Sequence, residues 1–122
     1  VIKKIGIDIH GVITDSPEFW KSCAQIYLDR GSEVHIITGA EFKKVKDILK
    51  DFPYTHFFSI SEYHKDRGIE VTYNEKGDPH MDDEIWNKTK AIYCKENNID
   101  IHIDDSDIYG KYFTGRTQYI KL

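Results

Sequence analysis

Hydrophobic positions in this chain fall into short β-branched runs separated by longer stretches in which apolar residues recur every three or four positions. The first run, about Lys3 to Ile9, reads as a buried strand that reaches Asp8 and breaks at Gly11. Ser16-Pro17-Glu18 then predicts a helix start, with serine at the N-cap, proline at the first helical position and an acid in the first turn. Phe19, Cys23, Ile26 and Tyr27 follow at helical spacing, and Gly31 supplies the stop. Glu33 to Gly39 is a second short strand. Phe42, Val45, Ile48, Leu49 and Phe52 predict an amphipathic helix with Lys43, Lys44, Lys46 and Lys50 on its wet side, ended by Pro53.

Thr55 to Ile60 reads as a third strand. Within 62–80, Val71-Thr72-Tyr73 and Asn74-Glu75-Lys76-Gly77 suggest a small hairpin, broken by Asp78-Pro79. Asp82 or Asp83 caps a third helix whose inner face would carry Ile85, Trp86, Thr89, Ile92 and Tyr93. Ile99, Ile101 and Ile103 form a fourth strand running into Asp104-Asp105. A helical turn over Ser106 to Phe113 and a closing strand over Gln118 to Leu122 complete the series. Such alternation predicts an α/β fold: a three-layer, Rossmann-like, mostly parallel sheet with helices on both faces, in one domain over 1–122 with a small insertion over about 62–80.

Composition narrows the functional classes. A 39% hydrophobic and 13% aromatic content fits a chain that buries a core. A net charge of −4 gives no basic footprint for general nucleic-acid binding. Cys23 and Cys94 lie far apart without a CxxC, and no spaced His/Cys pair suggests zinc. His35, His56 and His102 read as strand-face or core residues, and Trp20 and Trp86 as packing on the sheet. No apolar run approaches the roughly 18 residues of a membrane span and no signal peptide is read, so a soluble cytoplasmic protein is expected.

Parallel strands joined by right-handed crossovers bring their carboxyl ends to one edge. Asp8, Thr38 with Gly39, and Asp104 with Asp105 all stand at such ends, and Lys88 or Lys90 precedes the last by about one helix. Converging carboxylates repel unless a cation sits among them, and a hard oxygen set suits Mg²⁺. A carboxylate can also act as a nucleophile toward phosphorus, while a hydroxyl, a backbone N–H and an ammonium neutralise the transferring group.

The ordered set Asp8-Ile9-His10-Gly11-Val12, Ile36-Ile37-Thr38-Gly39, Lys88-Thr89-Lys90-Ala91-Ile92 and Ile103-Asp104-Asp105-Ser106 resembles the four motifs of the haloacid dehalogenase-like (HAD) phosphohydrolases, across about residues 3 to 110. The resemblance implies a phosphate monoester phosphatase in which Asp8 attacks phosphorus in line. Mg²⁺ would be held by Asp8, the backbone carbonyl of His10 and Asp105, with Asp104 in support. Thr38 and the Gly39 amide would hold phosphoryl oxygens, as would Lys88, preferred over Lys90 because KxxAI fits the motif better.

One departure matters. Where the family's phosphatases carry a second Asp as proton shuttle, this chain has His10. Imidazole can do acid–base work near neutrality, and losing that help costs roughly 10²–10⁴ in rate. The alternatives are therefore a phosphatase using His10, a phosphotransferase or sluggish enzyme, and a non-catalytic HAD-like binding domain. A receiver domain, which also uses Asp, Thr, Lys and Mg²⁺, has its acidic pair and acceptor Asp in another order.

The segments between motifs are too short for a folded cap. A capless member has an open site for a large substrate, or for a small one covered by a second copy in a homo-oligomer. Phosphorylated small molecules, nucleotides and polynucleotide ends are the expected substrate classes; the last two follow from a looser similarity to polynucleotide phosphatase domains and deoxynucleotidases. Tyr63, His64, Lys65, Arg67 and Tyr73 are insertion residues that could touch substrate.

Overall fold

In the computed structural model, which describes residues 2–122, the strands are β1 (Lys4–Ile7), β2 (Glu33–Thr38), β3 (His56–Ser59), β4 (Thr72–Tyr73), β5 (Pro79–His80), β6 (Ile101–Asp104) and β7 (Gln118–Lys121). The helices are α1 (Pro17–Asp29), α2 (Phe42–Val45), α3 (Ile60–Asp66) and α4 (Asp83–Glu96). Five strands form one parallel sheet in the order β3-β2-β1-β6-β7, and β4 and β5 pair as a separate antiparallel hairpin. The α/β reading from sequence therefore holds for the sheet and its flanking helices.

The chain winds outward from β1 through β2 to β3, then returns to lay β6 and β7 on the other side. Winding reverses between β1 and β6, and in open α/β sheets the crevice at such a reversal is where ligands bind. Asp8 follows β1 and Asp104 ends β6, so both stand at that crevice.

Alternation along the strands divides the core in two. Ile5, Ile7, Val34 and Ile36 pack with Ala24, Val45, Leu49 and Phe52 on one face. Ile37 and Phe58 pack with Ile60, Cys94 and Ile99 on the other, with Trp86 and Tyr93 of α4 against them. A polar row crosses this second face in register: His56, His35, Gly6, His102 and Tyr119 are successive partners across all five strands. Gly6 is required there, because a Cβ would stand 2.6 Å from Ile37 Cδ1 and 2.9 Å from His102 Nδ1.

Several local expectations are corrected. Helix α1 buries Ala24 and packs Trp20, Tyr27 and Leu28, while Phe19 and Ile26 are exposed. The helix expected through Phe52 is regular only to Val45 and continues as turns. Val45, Leu49 and Phe52 still point inward. Helix α3 runs into the 62–80 insertion, where only a hairpin was expected; the Ser59 side chain caps it by accepting from the Glu62 N–H at 3.2 Å. Pro79 does not break the hairpin but forms its second strand opposite Tyr73; proline is tolerated there because a two-stranded ribbon is all edge. In α4, Ile92 is exposed and the buried positions are Thr89, Lys90 and Cys94. Among the described residues no helix is long and apolar enough to cross a membrane.

Candidate active site

Asp8 leaves β1 with its N–H donating to the Ile103 carbonyl at 3.0 Å, which fixes the start of the following turn. Residues Ile9–Ile13 make a single wide turn closed by Thr14 N–H to the Ile9 carbonyl at 3.1 Å. His10 is extended within it, and Gly11 takes φ +83°. Glycine answers two demands at once. That φ is costly for other residues, and a Cβ at Gly11 would lie 1.9 Å from Asp105 Oδ2. The turn thus brings its bare backbone against Asp105.

Carboxylate oxygens of Asp8, Asp104 and Asp105 all lie within 4.8 Å of one another. Asp8 and Asp104 are buried and Asp105 is exposed. Asp104 is the anchored member: His102 Nε2–H donates to its Oδ2 at 2.8 Å, and the Ser106 N–H to its Oδ1 at 3.1 Å.

The lysine at this centre is Lys90, not Lys88. Lys90 Nζ donates to Asp8 Oδ1 at 3.1 Å and to Asp104 Oδ2 at 2.7 Å, with only 2% of the residue exposed. Its ammonium also lies 5.0 Å from the centroid of the Tyr109 ring. Lys88 is two residues earlier, about 200° around the helix, and lines a groove with Phe58, Tyr63 and Ile92 instead. The motif-spacing preference for Lys88 is therefore corrected by helix phase. A better signal was present in the chain: Trp86, Lys90 and Cys94 recur every four residues, placing the lysine on the stripe that faces the sheet.

Charge explains the titration behaviour. Burial pushes the Asp8 carboxyl up to about 7, with Asp104 adding to the rise and Lys90 opposing it. Burial also works against ionising Asp104, but the His102 hydrogen bond and Lys90 outweigh it and hold its pKa below the ordinary value. For Lys90, burial disfavours the ammonium, yet Asp8 and Asp104 dominate and the pKa is raised.

Thr38 and Gly39 reach the same place from the end of β2. Together with Asp8, His10, Lys90, Asp104 and Asp105 they line one cleft of about 380 Å³. Thr38 is buried and its Oγ1 accepts from the Ala40 N–H at 3.2 Å. The Gly39 carbonyl accepts from Ser61 Oγ at 2.8 Å, and a Cβ on Gly39 would stand 2.6 Å from Trp86 Cζ2. Trp86 is thus a wall of the cleft as well as a packing residue, and its indole N–H donates to Tyr109 Oη at 3.0 Å. The His10 side chain is exposed at the mouth.

Of the insertion, Asp78 and Pro79 line the cleft, and neither was anticipated. Tyr73 borders an adjoining recess that shares His10 with it. Tyr63, His64 and Lys65 lie on α3 and Arg67 caps its end, and none of them lines the cleft. His64 bonds Thr89 at 2.9 Å, and Lys65 pairs with Glu41 at 2.8 Å. A larger groove, about 640 Å³, lies by the amino ends of β1 and β2 and holds none of these acids.

The donor set fits a hard divalent cation. All three offered groups are carboxylate oxygens, and with Lys90 among them the ionised cluster carries two uncompensated negative charges. Small oxygen sites of this kind suit Mg²⁺, which keeps waters and shares substrate oxygens. No family model, curated protein or solved structure matches the chain.

Proposed function

We propose that the protein is a Mg²⁺-dependent phosphate monoester phosphohydrolase of the HAD type, with Asp8 as nucleophile. The observation that carries this reading is the convergence of Asp8, Thr38, Lys90, Asp104 and Asp105 on one cleft at the reversal of strand order. Asp8, Asp105 and the His10 carbonyl would hold the ion, with Asp104 in support. When bound, Mg²⁺ supplies Lewis-acid stabilisation of phosphoryl oxygens and lowers the pKa of its carboxylate ligands.

The residues divide the remaining work. An ionised Asp8 oxygen attacks phosphorus, giving an aspartyl-phosphate and releasing the alkoxide leaving group. The Thr38 hydroxyl and the Gly39 amide donate to phosphoryl oxygens, and Lys90 places positive charge beside both the nucleophile and the transferring group. His10, at the mouth, would protonate the leaving oxygen and then accept the proton of the hydrolytic water. Asp104, tied to His102 and Lys90, positions Lys90 against Asp8.

A second reading, slow hydrolysis with a persisting aspartyl-phosphate and transfer to another acceptor, is favoured by the exposure of His10. Phosphate release from a panel of sugar phosphates, nucleotides and 3′-phosphorylated oligonucleotides, with and without Mg²⁺, tests both. Hydrolysis should need Mg²⁺ and vanish in Asp8→Asn. Slow wild-type turnover that rises about 10²-fold or more in His10→Asp would favour the second reading. Hydrolysis that survives in Asp8→Asn would overturn both, as would its absence from wild type and His10→Asp alike.

A further inference from the structure

A second ligand set lies at the opposite end of the strands. Glu33 and His35 point to the α4 face of β2, and His56 opens β3 directly beside His35 in the sheet register. One ligand atom from each lies within 4.8 Å of the other two. The two imidazoles stack at 4.2 Å between centroids and 5° between planes. Glu33 registers with Lys4, four residues before Asp8, so about 13 Å of strand separates this cluster from the cleft.

From these residues we propose that Glu33, His35 and His56 bind a borderline divalent cation of the Zn²⁺ class. Two imidazoles and one carboxylate form a known donor combination for Zn²⁺ with one position left to water, and imidazole donors select against Mg²⁺. The inner ligand is already oriented. His35 is buried, with Nε2 2.8 Å from Glu33 Oε1 and Nδ1 2.6 Å from the Tyr93 hydroxyl. A ring whose far nitrogen is held by a protein oxygen is the usual support for a metal-binding histidine.

Protonation states suit the role as well. Burial holds the His35 pKa below its ordinary value, and the His35 hydrogen bond, with Lys4 assisting, holds the Glu33 carboxyl low. In the metal-free arrangement Nε2–H donates to Glu33. Metal at Nε2 selects the other tautomer, with Nδ1–H donating to Tyr93 Oη.

Tetrahedral Zn²⁺ needs ligand atoms about 3.3 Å apart, and parallel stacked rings cannot aim their in-plane lone pairs at one ion, so on binding the His56 ring must turn out of the stack and Glu33 must move in. His56, with 49% of its side chain exposed, and Glu33, with 38%, have the freedom to do so. Lys4 Nζ, 3.8 Å from Glu33 Oε1, is a nearby positive charge that competes, and it keeps a 3.1 Å bond to the Asn97 carbonyl.

The test is Co²⁺ titration of the untagged full chain, read by visible absorption, with Zn²⁺ competition and thermal melts. Wild type should give the intense bands of four-coordinate Co²⁺, displaced by Zn²⁺, and Zn²⁺ should raise its melting temperature. His56→Ala and Glu33→Gln, both at accessible positions, should each weaken binding at least tenfold, and Tyr93→Phe should weaken it about 10–100-fold. Asp105→Asn should leave it unchanged. Binding that persists in His56→Ala, or that is lost in Asp105→Asn, would overturn the assignment, as would wild type without four-coordinate Co²⁺ bands. None of these readings depends on phosphatase activity.

Discussion

Lys90→Met isolates the interaction that organises the cleft. Methionine matches the length of the lysine stem but leaves Asp8 and Asp104, exposed by only 7% and 0%, facing one another without their shared cation. At an effective dielectric near 20, a contact of 2.7–3.1 Å has a gross Coulomb attraction of roughly 5–6 kcal/mol. Desolvating the ammonium offsets much of that, so the net cost of removing one partner falls to about 3–5 kcal/mol. With m near 1.5 kcal/mol/M, the urea midpoint should drop by roughly 2–3 M. Lys88→Met, outside the cluster, should move it by a few tenths of a molar at most. Adding Asp8→Asn and Asp104→Asn to Lys90→Met should recover much of the loss, because the stranded charges go with their partner. The measurement is equilibrium urea unfolding of all four proteins at pH 7.5 without divalent ions. Equal costs for the two lysines, or a Lys90→Met cost under about 1 kcal/mol, would refute the charge argument.

Three further outcomes follow from the geometry. Gly11→Ala should destabilise by about 1–2 kcal/mol through its left-handed φ and also push Asp105 away, weakening Mg²⁺ binding by calorimetry; unchanged affinity would mean that Asp105 is not held against the turn. Asp105→Asn should weaken Mg²⁺ binding while leaving the urea midpoint within about 0.5 kcal/mol of wild type, since the residue is exposed and structurally unburdened.

Acid should destabilise the fold in a window set by buried histidines. His35 and His102 have pKa values lowered by burial, so their contribution is complete above the unfolded value near 6.5 and is lost as pH falls toward the folded values. His64, lowered in the same way, adds to the trend. Metal-free Asp8, raised to about 7, runs the opposite way between 3.8 and 7. Three lowered histidines against one raised carboxyl make the net trend a loss of stability as pH falls below about 6.5. Urea midpoints between pH 7 and 5.5 should fall accordingly, and fall more steeply in Asp8→Asn. A flat profile would contradict the neutral burial of these rings.

What could be read from the chain alone was whatever is local. The β-branched runs ending at Asp8, Thr38 and Asp104 have a period and a stop signal contained in a few residues, and parallel pairing follows from the helices between them. The Asp8, Thr38, Gly39, Asp104 and Asp105 set was legible for that reason. For the lysine the chain offered two candidates, and the Trp86, Lys90, Cys94 spacing marked the inward one, but Lys90 becomes a core residue only when Asp8 and Asp104, 82 and 14 positions away, supply its counter-charges. The same holds for His35 and His56: each reads as an ordinary strand residue, and only register across β2 and β3 stacks them beside Glu33. Sequence fixes which groups stand at strand ends, since that depends on short-range periodicity. Tertiary structure alone decides which side chains share a pocket, since helix phase and strand register are set by packing over the whole core.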